Sequence, residues 1–469
     1  MGLMARLASG ADAPIFPVVG VGGRLAAEEL RLLSGIRVVD HPRAAALVVV
    51  VGRLTRALLH PTLIVHDQLP APRTTVWIPA GPDGEGDPEG LLAAFPAITI
   101  VRPGDVCGLR AVFTGLVSGA RPSDPPALPD MEPAKWRGVG PYGHGGAGMT
   151  GGVPYGRPLP ARAPDPDGLE LDQLPLQIGP LYPPFPPGLV LHVGLQGDVV
   201  RQAFVGANPY RAWPGDPSPG PLDTAPFVDA LDAPASVADL ELARARHHLG
   251  WVAGFLRLHG LGARGLRVSA VARSLSLADR TAVDALARQL GRSRSLAWAT
   301  DGVGVADRAL LDRLETELPS GPVRRSAGEA HDARSDDPAY EGLGFEPVVH
   351  PEGDARARLR QRLAEASQAL ALAERAGARI RQPSFPLEGP RGTLRPGASM
   401  PSAALVALLP ELLAGSEWGD AVTTVASLDL DVEEAAISSP PSASGSRSVG
   451  IPAGSDYQNS GGQGQGTAR

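Results

Sequence analysis

The run Ala46-Leu-Val-Val-Val-Val51, inside HPRAAALVVVVGRLT at 41–55, decides the fold. It is short, rich in valine, free of polar alternation and closed by Gly52. Such a run is the signature of a strand buried on both faces, which belongs at the centre of a parallel sheet covered by helices. The flanking sequence fits that role. Arg24–Ser34 repeats apolar residues at helical spacing and stops at Gly35. Ile36–Asp40, Thr62–His66, Thr74–Ile78 and Ala97–Val101 read as further strands, each bounded by Gly or Pro, and Leu109–Val117 reads as a closing helix. Strands alternating with helices at this spacing predict a doubly wound α/β unit over residues 1–120.

Composition bounds the rest. The chain has 469 residues, 43% hydrophobic and 20% charged, enough for a sizeable core. Gly 58 and Pro 49 predict long loops. A net charge of −7 argues against a dominant phosphate-binding surface, so no nucleic-acid partner is expected. No apolar run approaches the roughly 20 residues needed to cross a bilayer. The amino terminus lacks a charged-then-apolar secretory pattern, and the chain is expected to be soluble and intracellular. Its one cysteine, Cys107, can form no internal disulfide and cannot supply a thiolate cluster alone.

Beyond residue 120 the pattern changes. Residues 121–175 are dominated by Pro, Gly and Asp, and PYGHGGAGMTGGVPYGRPLP (141–160) reads either as a flexible linker or as an ordered interface loop carrying tyrosines and a histidine. Residues 189–206 read as a hairpin turning at Gln-Gly-Asp. Ser236 with Asp239 opens a helix in which Leu240, Ala243, His247, Trp251 and Phe255 share a face. Ser276 with Asp279 opens another that ends at Gly291. Asp354–Ala376 is an Arg- and Ala-rich helix stopped by Gly377, and Ser402–Ala414 is a helix interrupted by Pro410. From about 435 the chain turns to Ser, Pro, Gly and Gln, a disordered tail over 435–469.

Residues that carry chemistry are sparse. GVGG at 20–23 lacks the third glycine and downstream acid of a dinucleotide fingerprint and reads as a tight turn. His247 and His248 point about 100° apart on a helix and cannot easily share one metal, so one is expected packed and the other solvated. Asp429 and Asp431 in SLDLDVEEA lack calcium-loop spacing, and such a run is ordinarily a solvated face.

Several segments resemble two core subunits of respiratory complex I and of membrane-bound nickel–iron hydrogenases. HPRAAALVVVVGRLT (41–55), IVHDQLPAPRTTVWIPAG (64–81) and PGDVCGLRAVFTGLVSG (103–119) resemble the cluster-carrying small subunit. IGPLYPPFPPGLVLHVGLQGDVV (178–200), ARARHHLGWVAGFLRLHGLGA (243–263), GPVRRSAGEAHDARSDDPAY (321–340), GDARARLRQRLAEASQAL (353–370), EGPRG (388–392) and SLDLD (427–431) resemble, in order, the quinone-site subunit related to the hydrogenase large subunit. The resemblance implies a fusion. It would join an α/β domain with a flavodoxin-like parallel sheet (1–120), through a linker or interface loop (121–175), to a mainly α-helical α+β domain of the hydrogenase large-subunit type (176–434).

The departures qualify that implication. Of the family's cluster ligands only Cys107 remains, two positions beyond the Pro-Gly-Cys site where Asp105 stands, and Gly81–Pro82 occupies another ligand region. The nickel-binding Cys-x-x-Cys pairs are missing, so neither an iron–sulfur cluster nor nickel is expected. Tyr182 stands where the family's quinone-binding histidine would be, beside Pro183, and the histidine's acidic partner falls near His259. A phenol can donate to a carbonyl but cannot shuttle protons near neutral pH as imidazole does. Tyr182, Pro183, His248 and His259 are therefore candidate quinone-cavity residues, while Arg391, Asp429 and Asp431 are read as structural. At least one of Arg356, Arg358, Arg360 and Arg362 is expected to pair with Asp429, Asp431 or Glu388. The Asp105–Cys107 loop is expected to collapse toward Tyr182. The function implied is a redox-degenerate complex-I-like subunit on the cytoplasmic face of the membrane, with antiporter-like or hydrogenase-like membrane subunits as partners. A quinone-binding subunit of an active oxidoreductase and a stand-alone scaffold are the alternatives.

Overall fold

A computed structural model describes residues 10–79, 90–130, 162–164, 168–211, 223–314, 316–384 and 386–437. The 141–160 loop, Gly81–Pro82 and the tail beyond 437 lie outside these residues. The valine run is strand β3 (Leu47–Val51), and all five of its residues are buried. It sits at the middle of a five-stranded parallel sheet of order β2-β1-β3-β4-β5, where β1 is Ala13–Val19, β2 Ile36–Val38, β4 Thr74–Ile78 and β5 Ile98–Ile100. This is the flavodoxin-like strand order. One face packs Ile15, Leu47, Val49 and Val76 against helices α1 (Arg24–Leu30) and α3 (Val106–Ser118). The other packs Phe16, Val48, Val50 and Trp77 under α2 (Arg56–Gln68).

Two readings of this sheet need correction. Thr62–His66 is not a strand but the middle of α2, which Thr55 caps by accepting from the Leu58 N–H. Its buried residues Leu58, Thr62, Leu63, Val65 and His66 lie at helical spacing on both sides of Pro61, and that longer period outweighs the short β-branched run. The strand missed by the reading is β1, whose Pro14 and Pro17 demote it in any pattern analysis.

A four-stranded antiparallel sheet follows, of order β6-β7-β8-β9, with β6 Arg162–Pro164, β7 Glu170–Ile178, β8 Leu191–Gln196 and β9 Val199–Val205. β8 and β9 are the hairpin expected at 189–206. Its inner residues Leu191, Val193, Val200 and Ala203 join the hydrophobic cluster of the α2 side of the parallel sheet. A helical layer comes next. After α4 (Ala225–Asp232), the 22-residue helices α5 (Val237–Leu258) and α9 (Ala355–Ala376) pack on one another through Leu249, Val252, Leu256, Leu359, Leu363, Ala366 and Leu370. Around them lie α6 (Gly262–Arg273), α7 (Arg280–Gly291) and α8 (Arg294–Thr300). Ser236 caps α5, the Ser276–Asp279 capping box precedes α7, and Asp354 caps α9 by accepting from the Ala357 N–H at 2.7 Å. Four short helices end the fold: α10 (Pro401–Ala407), α11 (Leu409–Leu413), α12 (Trp418–Ser427) and α13 (Val432–Ala436).

α5 does not present one apolar stripe. Besides Leu240 and Phe255 it buries Glu241, Arg244, Ala245, His248, Leu249 and Val252, because neighbours enclose it on nearly every side. That polar burial positions the site.

Candidate functional site

Seven arginines are among the largest fully buried side chains of the described residues. A buried charge is tolerated only when paired, so each of them must meet carboxylates or carbonyls. Most converge on one connected junction.

At its centre is Arg391, in the turn after the two-residue strand Leu387–Glu388. Its guanidinium donates to both carboxylate oxygens of Asp223 at 2.8 Å, to Glu434 at 2.8 Å and to the Asp429 carbonyl at 2.9 Å. Asp429 carries φ +56, a left-handed conformation rare for a non-glycine residue, and there its carbonyl reaches Arg391. Its carboxylate accepts from His247 Nε2 at 2.7 Å and pairs with Arg362 at 2.9 Å. Arg362 thus makes the pair expected of the α9 arginine row, and its guanidinium also lies over the Trp251 ring. Arg358 instead donates to Ser427 and to the Gly353 and Gly304 carbonyls, while Arg356 and Arg360 form partly exposed pairs with Asp301 and Glu352.

From the parallel sheet, Arg24 at the start of α1 pairs with Asp431 at 2.9 Å. The Gly22 N–H donates to both Glu433 oxygens, at 2.9 and 3.1 Å. The GVGG turn therefore clasps the C-terminal helix α13, which Asp431 itself caps. On the other side, His248 lies 3.2 Å from both Arg362 and Glu365. Glu365 pairs with Arg325, which also meets Asp332 and Glu388. Asp332 pairs with Arg334, Arg334 with Glu241, and Glu241 accepts from the Tyr340 hydroxyl at 2.6 Å.

Burial and charge set the protonation pattern. Burial opposes ionisation of Asp429, but Arg391, Arg362 and His247 hold its carboxyl well below the usual range. Burial likewise opposes the charge on Glu365, which Arg325 and His248 overcome. His248 goes the other way: burial, reinforced by Arg362 and His247, lowers it to about 3, so it is neutral at physiological pH. Glu434 is the exception among the acids. Burial and the adjacent Asp431 and Asp223 outweigh Arg391 and push it up to about 7. The junction therefore holds one acid that can take or release a proton near neutral pH.

These contacts correct two expectations. His247 and His248 are both enclosed, with side chains 5% and 0% exposed, so neither is solvated. Asp429 and Asp431 are buried in the junction and form no solvated face. The candidate quinone-cavity residues do not gather around one space. Tyr182 stacks edge-on against Phe185 and packs with Trp418, beside Pro183 in the loop before β8. His248 is in the junction, and His259 caps the far end of α5, about 16 Å further along its axis, bonded to the Phe255 carbonyl. Cys107 is exposed on the first turn of α3, and Asp105 caps that helix by accepting from the Gly108 N–H. The 105–107 loop has thus not collapsed onto Tyr182. Sequence reading singled out Arg391, Asp429 and Asp431 but missed Arg24, Asp223, Arg325, Glu365 and Glu434. No local pattern announces a partner forty or more residues away.

Residues 278–402 match the family model of the respiratory-chain NADH dehydrogenase 49 Kd subunit. Among solved structures, a chain from the membrane-bound sulfane sulfur reductase, an archaeal respiratory membrane complex, is similar at 19% identity and TM-score 0.43, over 56% of this chain and 98% of that one. No curated protein matches the chain. The matched segment contains Arg325, Asp332, Arg334, Arg362, Glu365, Glu388 and Arg391, the middle part of the junction in chain order. The chain's one cysteine, Cys107, stands exposed on the first turn of α3. Among the described residues no helix is long and apolar enough to cross a membrane.

Proposed function

We propose that this chain is a redox-degenerate, complex-I-like peripheral subunit that couples or scaffolds a membrane-bound ion-translocating complex. One observation carries the reading. The segment that matches the quinone-site subunit buries arginines that pair with carboxylates inside it and just beyond it, in a chain with a single cysteine. An ion-pair network of this kind ties elements together and offers no electron carrier. In this reading Tyr182 is a packing residue of the β8 loop, and quinone reduction is not carried by this chain. Its partners are membrane subunits on the cytoplasmic side.

The test is purification of the complex from native membranes, with iron analysis and paramagnetic resonance. Membrane subunits should co-purify, and no four-iron signal should be attributable to this chain. A stoichiometric four-iron signal that disappears with Cys107→Ser would overturn the degenerate reading, and migration as a lone monomer would overturn the subunit reading. Quinone-dependent turnover lost in Tyr182→Ala and restored in Tyr182→His would instead place quinone chemistry at the β8 loop.

A further inference from the structure

The segment 261–300, spanning α6, α7 and α8, carries seven arginines against two aspartates, a local balance of +5 in a chain of net charge −7. Its apolar residues Val268, Ala272, Val283, Leu290 and Leu296 all turn inward onto α5 and α9. The arginines are consequently left outside. Arg288 and Arg292 are four residues apart, as are Arg294 and Trp298, and only Arg292 and Ser293 separate α7 from α8. Arg288, Arg292, Arg294 and Trp298 are each exposed, so the short stretch 288–298 presents three cations and an aromatic ring at the surface. Arg267 and Arg273 of α6 are exposed as well. Among the described residues, no carboxylate lies within ion-pair distance of Arg267, Arg273, Arg288, Arg292 or Arg294, whereas the junction arginines are all paired. Trp298 is 90% exposed, the most exposed large apolar side chain described, and Leu277 and Leu266 are 43% and 42% exposed nearby in sequence.

We propose that the outer face of α6–α8 docks on an anionic bilayer surface, with Arg288, Arg292 and Arg294 engaging lipid phosphates and Trp298 entering the headgroup region. Unpaired arginines beside one exposed tryptophan match what such a surface requires: cations attracted by the negative leaflet, and an amphipathic ring suited to the interface. Concentrating positive charge on one face of an acidic protein also orients it, since the remaining surface is repelled. The proposal rests on the membrane-peripheral part of the reading above. It concerns the chain alone, so its failure leaves co-purification with membrane subunits as a separate result.

The experiment is co-sedimentation of the purified full-length chain with vesicles of phosphatidylcholine alone or mixed with phosphatidylglycerol. Binding should require phosphatidylglycerol and fall steeply between 50 and 300 mM salt, as screening dictates. The triple variant Arg288→Gln/Arg292→Gln/Arg294→Gln should bind roughly tenfold to a hundredfold more weakly. A control with the same change in net charge, Arg162→Gln/Arg308→Gln/Arg313→Gln, should bind as the parent does. On vesicle addition, a blue shift in tryptophan emission present in the parent should be lost in Trp298→Phe. Equal weakening by the control, binding indifferent to phosphatidylglycerol, or no vesicle binding would each overturn the proposal. The last result would leave an acidic protein surface as the patch's partner. Circular dichroism of each variant separates lost binding from lost folding.

Discussion

Arg391 touches four acidic residues at once, and its removal would take one cationic partner from each of them. Breaking a buried pair by deleting one partner costs about 3–5 kcal/mol, whereas an exposed pair contributes under about 1 kcal/mol. Arg391→Met and Asp429→Ala should each lower unfolding stability by about 3–5 kcal/mol in urea titration. Glu411→Ala, which breaks only the exposed pair with Arg313, should change it by less than about 1 kcal/mol. An effect of Asp429→Ala as small as that of Glu411→Ala would mean that the junction is not what holds these elements. Two residues also give opposed pH slopes. Glu434 rises from 4.5 to about 7 on folding, so the folded state holds the extra proton. Its contribution to stability is full below about 4.5 and is lost as pH rises toward 7. His248 falls from 6.5 to about 3, so its contribution is full above about 6.5 and is lost as pH falls toward 3. Glu434→Gln should therefore flatten the loss of stability toward pH 7, and His248→Asn should flatten the loss on acidification. Stability measured from pH 4 to 8 checks both signs.

At the level of elements, the turn between β1 and α1 is the most sterically confined piece of the parallel sheet. A Cβ on Gly23 would stand 2.0 Å from the Val51 carbonyl oxygen, and one on Gly20 would stand 2.4 Å from that of Arg53. Neither obstacle is a flexible side-chain tip, so backbone must move. That movement would pull the Gly22 N–H from Glu433 and loosen α13 as well. Gly23→Ala should destabilise by about 2–4 kcal/mol, more than the ~1 kcal/mol expected from lost glycine freedom. Gly197→Ala, in the open β8–β9 turn at φ +62, should cost only about 1 kcal/mol. Thermal unfolding of the pair distinguishes steric closure at β1–α1 from ordinary turn strain, and equal shifts would refute the closure argument.

Across the whole molecule, the parallel sheet and the helical region are stitched together rather than merely adjacent. The described residues up to 437 form one compact unit. Its stitches are Gly22 to Glu433, Arg24 to Asp431, the Tyr210 hydroxyl to the Val19 carbonyl at 2.8 Å, and Thr55 to the Pro209 carbonyl at 2.9 Å. The hydrophobic cluster is likewise continuous from Val48 and Val50 of the sheet to Leu405 and Val425 of the C-terminal helices. Calorimetry of the full chain should accordingly show one main cooperative transition. Arg24→Met combined with Glu433→Ala should broaden or split it, because both polar stitches at α13 are then removed. A parent that already unfolds in two steps would show that these contacts do not couple the regions.

What could be read without coordinates was local. The valine run marked β3, Thr74–Ile78 marked β4, and Ser236, Ser276 and Asp354 marked helix starts, because periodicity and capping act within a few residues. Where local signals conflicted, as with Pro14 and Pro17 in β1 or the β-branched run inside α2, sheet pairing and a longer helical period decided the outcome. Of the junction, Arg391, Asp429 and Asp431 were visible as charged residues in short motifs. Their burial was not, because a charge is worth burying only when its partner arrives from elsewhere: Asp223 from 168 residues away, Gly22 from 411. The sequence thus determined the elements and supplied the charges. The tertiary structure alone decided which charges meet, since electrostatic pairing in a low-dielectric interior depends on separation in space and not along the chain.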